Sequence, residues 1–136
     1  MANSLYGQYR QACLEGGGVA WLTDDIKVML VDTATYTVAI DVDRFLSDVP
    51  APARIATSSN LTNKTSTLGV ADADDVTFTA VPPTSVEAVV LYQDTGVAGT
   101  SRLIMYVDTA PGLPLSTNGG DVTLPWSNGA SKIFKL

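Results

Sequence analysis

Histidine is missing from the 136 residues, and with it every imidazole-based triad, acid–base pair or zinc ligand set. Cysteine occurs once, at Cys13, so neither an internal disulfide nor a multi-thiolate metal site can form. Cations are scarce: eight Lys and Arg face fourteen Asp and Glu, for a net charge of −6. That balance repels phosphate backbones and anionic lipid, and predicts no nucleic-acid or membrane-surface partner. Long apolar runs are absent as well. The stretch Val28–Val31 is far short of the roughly 20 residues a membrane-spanning helix needs. Residues 1–10 have no basic start followed by an apolar run, which predicts no signal peptide and a protein made and kept in the cytosol. Charged residues reach only 16% while hydrophobic ones reach 46%, which excludes a disordered chain.

What is present points to strands. Twelve of the fourteen acids are Asp, which favours turns and caps, and only two are Glu, which favours helix interiors. Thr and Val are abundant and fit a pleated sheet better than a helix. The expected fold is mainly β, an antiparallel β-sandwich or jelly-roll-like single domain over residues 1–136. It carries a short N-terminal helix over 4–15 and the sandwich over 19–136. Leu5, Tyr9, Ala12 and Cys13 recur at helical spacing, with Ser4 as the expected N-cap and Gly16-Gly17-Gly18 as the stop. A second helical turn is expected at Arg44–Ser47, capped by Asp43 and stopped by Pro50 and Pro52.

The strand candidates are Ile26–Val31, Thr35–Ile40, Arg54–Thr57, Thr65–Val70, Val76–Val81, Val86–Gln93, Ser101–Val107, Val122–Trp126 and Ser131–Lys135. Asp94–Thr100 reads as a Gly-rich hairpin loop, and Ser127-Asn128-Gly129-Ala130 as an Asn-Gly hairpin turn. Pro125 is expected at a sheet edge, where its missing N–H is harmless. Val28–Ala34 and Ile104–Ala110 echo one another, each an apolar strand ending in Asp-Thr-Ala, at a spacing too irregular for a repeat architecture.

Chemistry-bearing clusters are few. Asp72, Asp74 and Asp75 form the densest acidic stretch, which could supply oxygens to a hard cation but lacks the Gly and closing Glu of an EF-hand loop. A solvated turn is the favoured reading of the stretch. Asp94-Thr95-Gly96 matches the aspartic-protease tripeptide, but it is not duplicated, and a hairpin loop accounts for it. Gly16-Gly17-Gly18 is followed by no Lys-Ser/Thr and is no phosphate cradle. With no nucleophile, base and oxyanion donors in a recognisable pattern, no enzyme, catalytic residue, metal or cofactor is expected. Cys13 reads as a small core residue, and Trp21 and Trp126 as core or interface anchors.

Several blocks together resemble a family of small structural proteins of tailed-phage virions. They are Ser4-Leu5-Tyr6-Gly7, the run Asp25–Thr37, Phe45-Leu-Ser-Asp-Val-Pro50 followed by Ala53-Arg54, Asn118–Thr123, and Trp126–Phe134. The resemblance implies a place in the particle. The acidic charge argues against packing on DNA inside the capsid and favours the outer capsid surface or the tail. A small Thr/Val-rich sandwich resembles capsid decoration, or cement, proteins. These bind the major capsid protein and act as oligomers, and a trimer suits local three-fold positions. A tail, neck or fibre component is an open alternative, and a host-surface binding module another. On this reading Leu5, Tyr6, Tyr9, Ile133, Phe134 and Leu136 are the expected partner contacts, since apolar termini are costly to leave wet. The competing reading is an edge strand that buries them in its own sheet.

Overall fold

A computed structural model describes residues 3–109, 113–126, 129 and 132–136. Its centre is a five-stranded antiparallel sheet formed by β1 (Ser4–Leu5), β2 (Ile26–Val31), β3 (Arg54–Thr57), β7 (Ala88–Gln93) and β8 (Leu103–Val107), in the order β1-β8-β7-β2-β3. Three two-stranded antiparallel ribbons complete the strands. They pair β4 (Val70–Ala71) with β11 (Phe134–Lys135), β5 (Val76–Phe78) with β10 (Val122–Leu124), and β6 (Ser85–Val86) with β9 (Leu115–Ser116). Among the described residues, one helix, α1 (Gly7–Leu14), and three short 3₁₀ turns are added to this framework. The protein is thus mainly β, antiparallel, with one short helix. Its strands outside the central sheet form separate ribbons rather than one continuous second sheet.

The three middle strands are buried at nearly every position and lack the in–out alternation of a half-solvated sheet. Both faces are covered. Register places Leu30, Val89 and Val107 on one face, beside Leu115, Leu124 and Ile133 of the ribbons. Met29, Val90 and Tyr106 lie on the opposite face, where the Tyr36 ring meets Tyr106 edge-on at 6.4 Å. Val-rich runs that look ambiguous in sequence are therefore strands with apolar neighbours above and below. The hairpin of β7 and β8 forms as expected, and its Gly-rich loop is tied internally: Ser101 Oγ donates to Val97 O at 2.9 Å and accepts from Thr95 N–H at 3.1 Å.

Several expectations are corrected. The helix begins at Gly7, not Ser4, because Ser4–Leu5 is drawn into the sheet against Met105 and Tyr106. Ser4 is therefore no N-cap. Tyr6 holds that position without a side-chain bond. Gly7 fits there because its N–H donates to Ile40 O at 2.8 Å and a Cβ would run into Asp41. The expected stop holds: Gly16 takes φ +78°, and Gly17 N–H donates to Ala12 O at 2.9 Å.

Thr35–Ile40 alternates in burial as a strand would, but among the described residues no strand pairs with it. It is an irregular segment that plants Tyr36 in the core and accepts the Gly7 N–H at Ile40 O. The second helical turn is a 3₁₀ turn at Leu46–Asp48 instead of Arg44–Ser47. Asp48, not Asp43, receives its backbone N–H groups, from Arg44 at 2.7 Å and Phe45 at 3.0 Å. Thr65–Val70 is mostly turn, and only Val70 joins a strand. The expected Asn-Gly hairpin does not pair its two flanks, since β10 bonds to β5 and β11 to β4. Of the turn itself, Ser127, Asn128 and Ala130 lie outside the described residues.

Candidate functional site

The six expected contact residues divide sharply. Tyr6 is fully buried and Tyr9 is 3% exposed, while Ile133 and Phe134 are 7% and 6% exposed. Leu5 is half-buried against the same core. Phe134 is the keystone of this end of the molecule. Its ring sits edge-on to Trp21 at 5.4 Å and to Tyr9 at 6.2 Å, joining β11 to α1 and to the loop after it. Four of these side chains are core and Leu5 packs against it, and the edge-strand reading of the C-terminus holds for Ile133 and Phe134. The reason is the pairing of β11 with β4, together with the Ile133 N–H donating to Ala71 O at 3.1 Å, which draws the chain end inward. Leu136 differs: it is 62% exposed, and its N–H donates to Gly69 O at 3.0 Å.

That bond brings Leu136 beside an unusual turn. Leu68 (φ +53°, ψ +36°) and Gly69 (φ +79°) are consecutive left-handed residues, and Val70 N–H closes the turn on Thr67 O. Two successive left-handed residues make a type I′ turn, whose first central position favours Asn, Asp or Gly. Here it holds leucine, and the side chain stands 91% exposed. A left-handed backbone costs an ordinary L-residue about 1–2 kcal/mol, and wetting a leucine adds to that cost. Leu68, in the turn before β4, and Leu136, just after β11, thus make an exposed apolar corner at one end of the ribbon β4–β11, whose Phe134 is fixed by Tyr9 and Trp21. Leu68 was hidden in sequence because Thr65–Val70 reads as one strand. The Leu-Gly pair was the available cue.

Apart from Trp21 Nε1, which has no hydrogen-bond partner among the described residues, the buried side-chain polar groups are occupied by structural work. Tyr6 and Tyr36 hydroxyls lie 3.0 Å apart, and Tyr36 donates to Asp43 Oδ2 at 2.7 Å. Burial pushes both phenols well above their ordinary range, so neither ionises near neutrality. Lys27 on β2 pairs with Asp94, just past the end of β7, at 2.8 Å and holds that carboxyl below its usual value. In the acidic turn, Asp74 Oδ2 accepts from Thr62 Oγ1 at 3.1 Å and Asn63 Nδ2 at 2.6 Å. Asp75 Oδ1 accepts from Trp126 N–H at 2.9 Å. The turn is stitched to its neighbours, and among the described residues no three Cys, Asp or Glu side chains converge on a point that could hold a metal. A cavity of about 320 Å³ beside Val89, Met105, Val107, Leu124 and Trp126 is apolar, with Lys132 the one charged side chain among its described lining residues. It can receive an apolar group but offers no acid–base pair.

Among the described residues, no helix is long and apolar enough to cross a membrane. Against protein-family models and curated proteins the chain finds no match. The class that the fold defines is a small, mainly β, antiparallel protein with one short helix.

Proposed function

We propose that this chain is a non-enzymatic structural protein of a tailed-phage virion, of the capsid-decoration kind, which binds the major capsid protein on the outer shell. The observation that carries this reading is the Leu68–Leu136 corner: an apolar side chain held out in a strained, exposed turn on a firmly anchored ribbon. A binding protein uses such a feature, because the energy withheld in the free chain is recovered when a partner covers it. The net charge of −6 keeps the chain off packaged DNA and is compatible with the outer face. A decoration protein acts by spreading contact area across joints between shell subunits, and self-association, as a trimer at local three-fold positions, raises its hold by multivalency.

The test is copy number per purified particle, by quantitative mass spectrometry against the shell protein. A ratio of the same order supports decoration. A ratio matching one or a few rings moves the protein to neck or tail, and absence from particles overturns the reading. Leu68→Asp with Leu136→Asp is expected to leave the chain folded and abolish particle binding; retained binding would remove the corner from the interface.

A further inference from the structure

The geometry points to a modification site at Asn118-Gly119, where the asparagine closes on the next backbone nitrogen and reopens as aspartate or isoaspartate. The step lies at an exposed tip between β9 and β10, held firmly at both ends. On one side Thr117 is buried. Its N–H donates to Thr84 O at 2.8 Å, and its hydroxyl accepts from Thr84 N–H at 2.8 Å. On the other side Gly120 O accepts from Val81 N–H at 3.0 Å, and Asp121 Oδ1 accepts from Ala80 N–H at 2.9 Å.

Between these anchors the reacting atoms are free. Gly119 takes φ +89° and has nothing within 4 Å of where a Cβ would stand. Among the described residues, none accepts its N–H, and none binds the Asn118 amide nitrogen. Asn118 Oδ1 accepts from Gly120 N–H at 3.0 Å. This bond folds the carboxamide back over the peptide linking Asn118 to Gly119, and it places a donor on the oxygen that gains charge during attack.

The chemistry balances with water alone. Hydroxide takes the proton from Gly119 N, which bonds to Asn118 Cγ. The Cγ–Nδ2 bond breaks, and the nitrogen leaves as ammonia after protonation by water. Water then opens the five-membered imide, at the side-chain carbonyl to give aspartate or at the main-chain carbonyl to give isoaspartate. Either product adds a carboxylate close to Asp121. Isoaspartate also inserts a methylene into the backbone between two fixed points, so the added length strains the Val81–Gly120 bond and the β5–β10 ribbon beyond it. The loop is thereby a slow chemical clock on that ribbon.

The full chain is held in mildly alkaline and in mildly acidic buffer, then digested and analysed by mass spectrometry. Isoaspartate is counted by methyl transfer from S-adenosylmethionine with an isoaspartyl methyltransferase. The expected result is a one-dalton gain at Asn118, faster in alkali, together with methyl acceptance in the digest peptide that spans Asn118, which Asn118→Gln abolishes in that peptide while the variant still unfolds cooperatively. No gain at Asn118 during the time in which a free peptide spanning residues 116–122 converts would overturn the proposal. So would a gain confined to Asn128, the other Asn-Gly step in the chain.

Discussion

Replacing Leu68 with asparagine is expected to make the isolated protein more stable and a worse partner. The first half follows from the turn. Leu68 adopts φ +53° and is 91% exposed, so the substitution forfeits almost no buried area. Asparagine bonds locally and tolerates the left-handed region, recovering most of the about 1–2 kcal/mol that leucine loses there. A gain of about 1 kcal/mol raises the melting temperature of a chain this size by roughly 3–4 °C, and at a urea m-value of about 2 kcal/mol/M it moves the midpoint by roughly 0.5 M. The second half follows from burial. A leucine fully covered by a partner contributes about 1.5–3 kcal/mol, so losing it weakens particle binding roughly ten- to a hundredfold. Urea denaturation followed by tryptophan fluorescence, with sedimentation of the variant alongside particles, reads both. A destabilised variant would refute the turn argument, since it would mean that Leu68 packs within the chain. Unchanged particle binding would refute its use as an anchor.

Phe134→Ala should cost roughly 3–5 kcal/mol, because the ring joins Tyr9 and Trp21, and deletion of residues 133–136 should unfold the chain rather than merely release it from a partner; circular dichroism separates these outcomes. Trp21→Phe should be far milder, since the buried Trp21 Nε1 has no hydrogen-bond partner among the described residues and its loss removes a desolvation penalty of about 1–3 kcal/mol that offsets lost contacts. In alkali, Tyr6 and Tyr36 have folded-state pKa values raised above the ordinary phenol, with Tyr92 pushed up to about 12, all chiefly by burial. Their contribution is fully present below about pH 10 and is lost as pH rises further; absorbance at alkaline pH should show these phenols ionising only with unfolding. In acid, the Lys27–Asp94 pair works in the opposite sense. Asp94 is held below its usual value by Lys27, so its contribution is complete above about pH 5 and fades as pH falls through the carboxylate range; Asp94→Asn should flatten that part of the stability profile.

The amino-acid sequence determined the class of fold on its own. Thr and Val in short runs, Asp in place of Glu, and Gly at the helix stop act through local backbone preferences, and local preferences are legible one residue at a time. Ile26–Val31, Arg54–Thr57 and the hairpin built on Val86–Gln93 and Ser101–Val107 were readable for that reason. So was the absence of imidazole chemistry, which needs only a count. Pairing across distance was not legible. Ser4–Leu5 carries helix-like spacing, yet it joins β8 because that strand offers an open edge a hundred residues away. Thr35–Ile40 has a strand's alternation but no strand beside it among the described residues. The last strand ignores its neighbour across the Asn-Gly turn and pairs with β4.

That last choice decided the candidate site. Ile133 and Phe134 are apolar in any reading, but only their pairing with Val70 and Ala71 turns them inward, and only the same pairing sets Leu136 beside Leu68. Hydrophobicity, set by composition, says that a side chain prefers to be covered. Tertiary structure alone decides which ones the chain covers itself and which it leaves exposed.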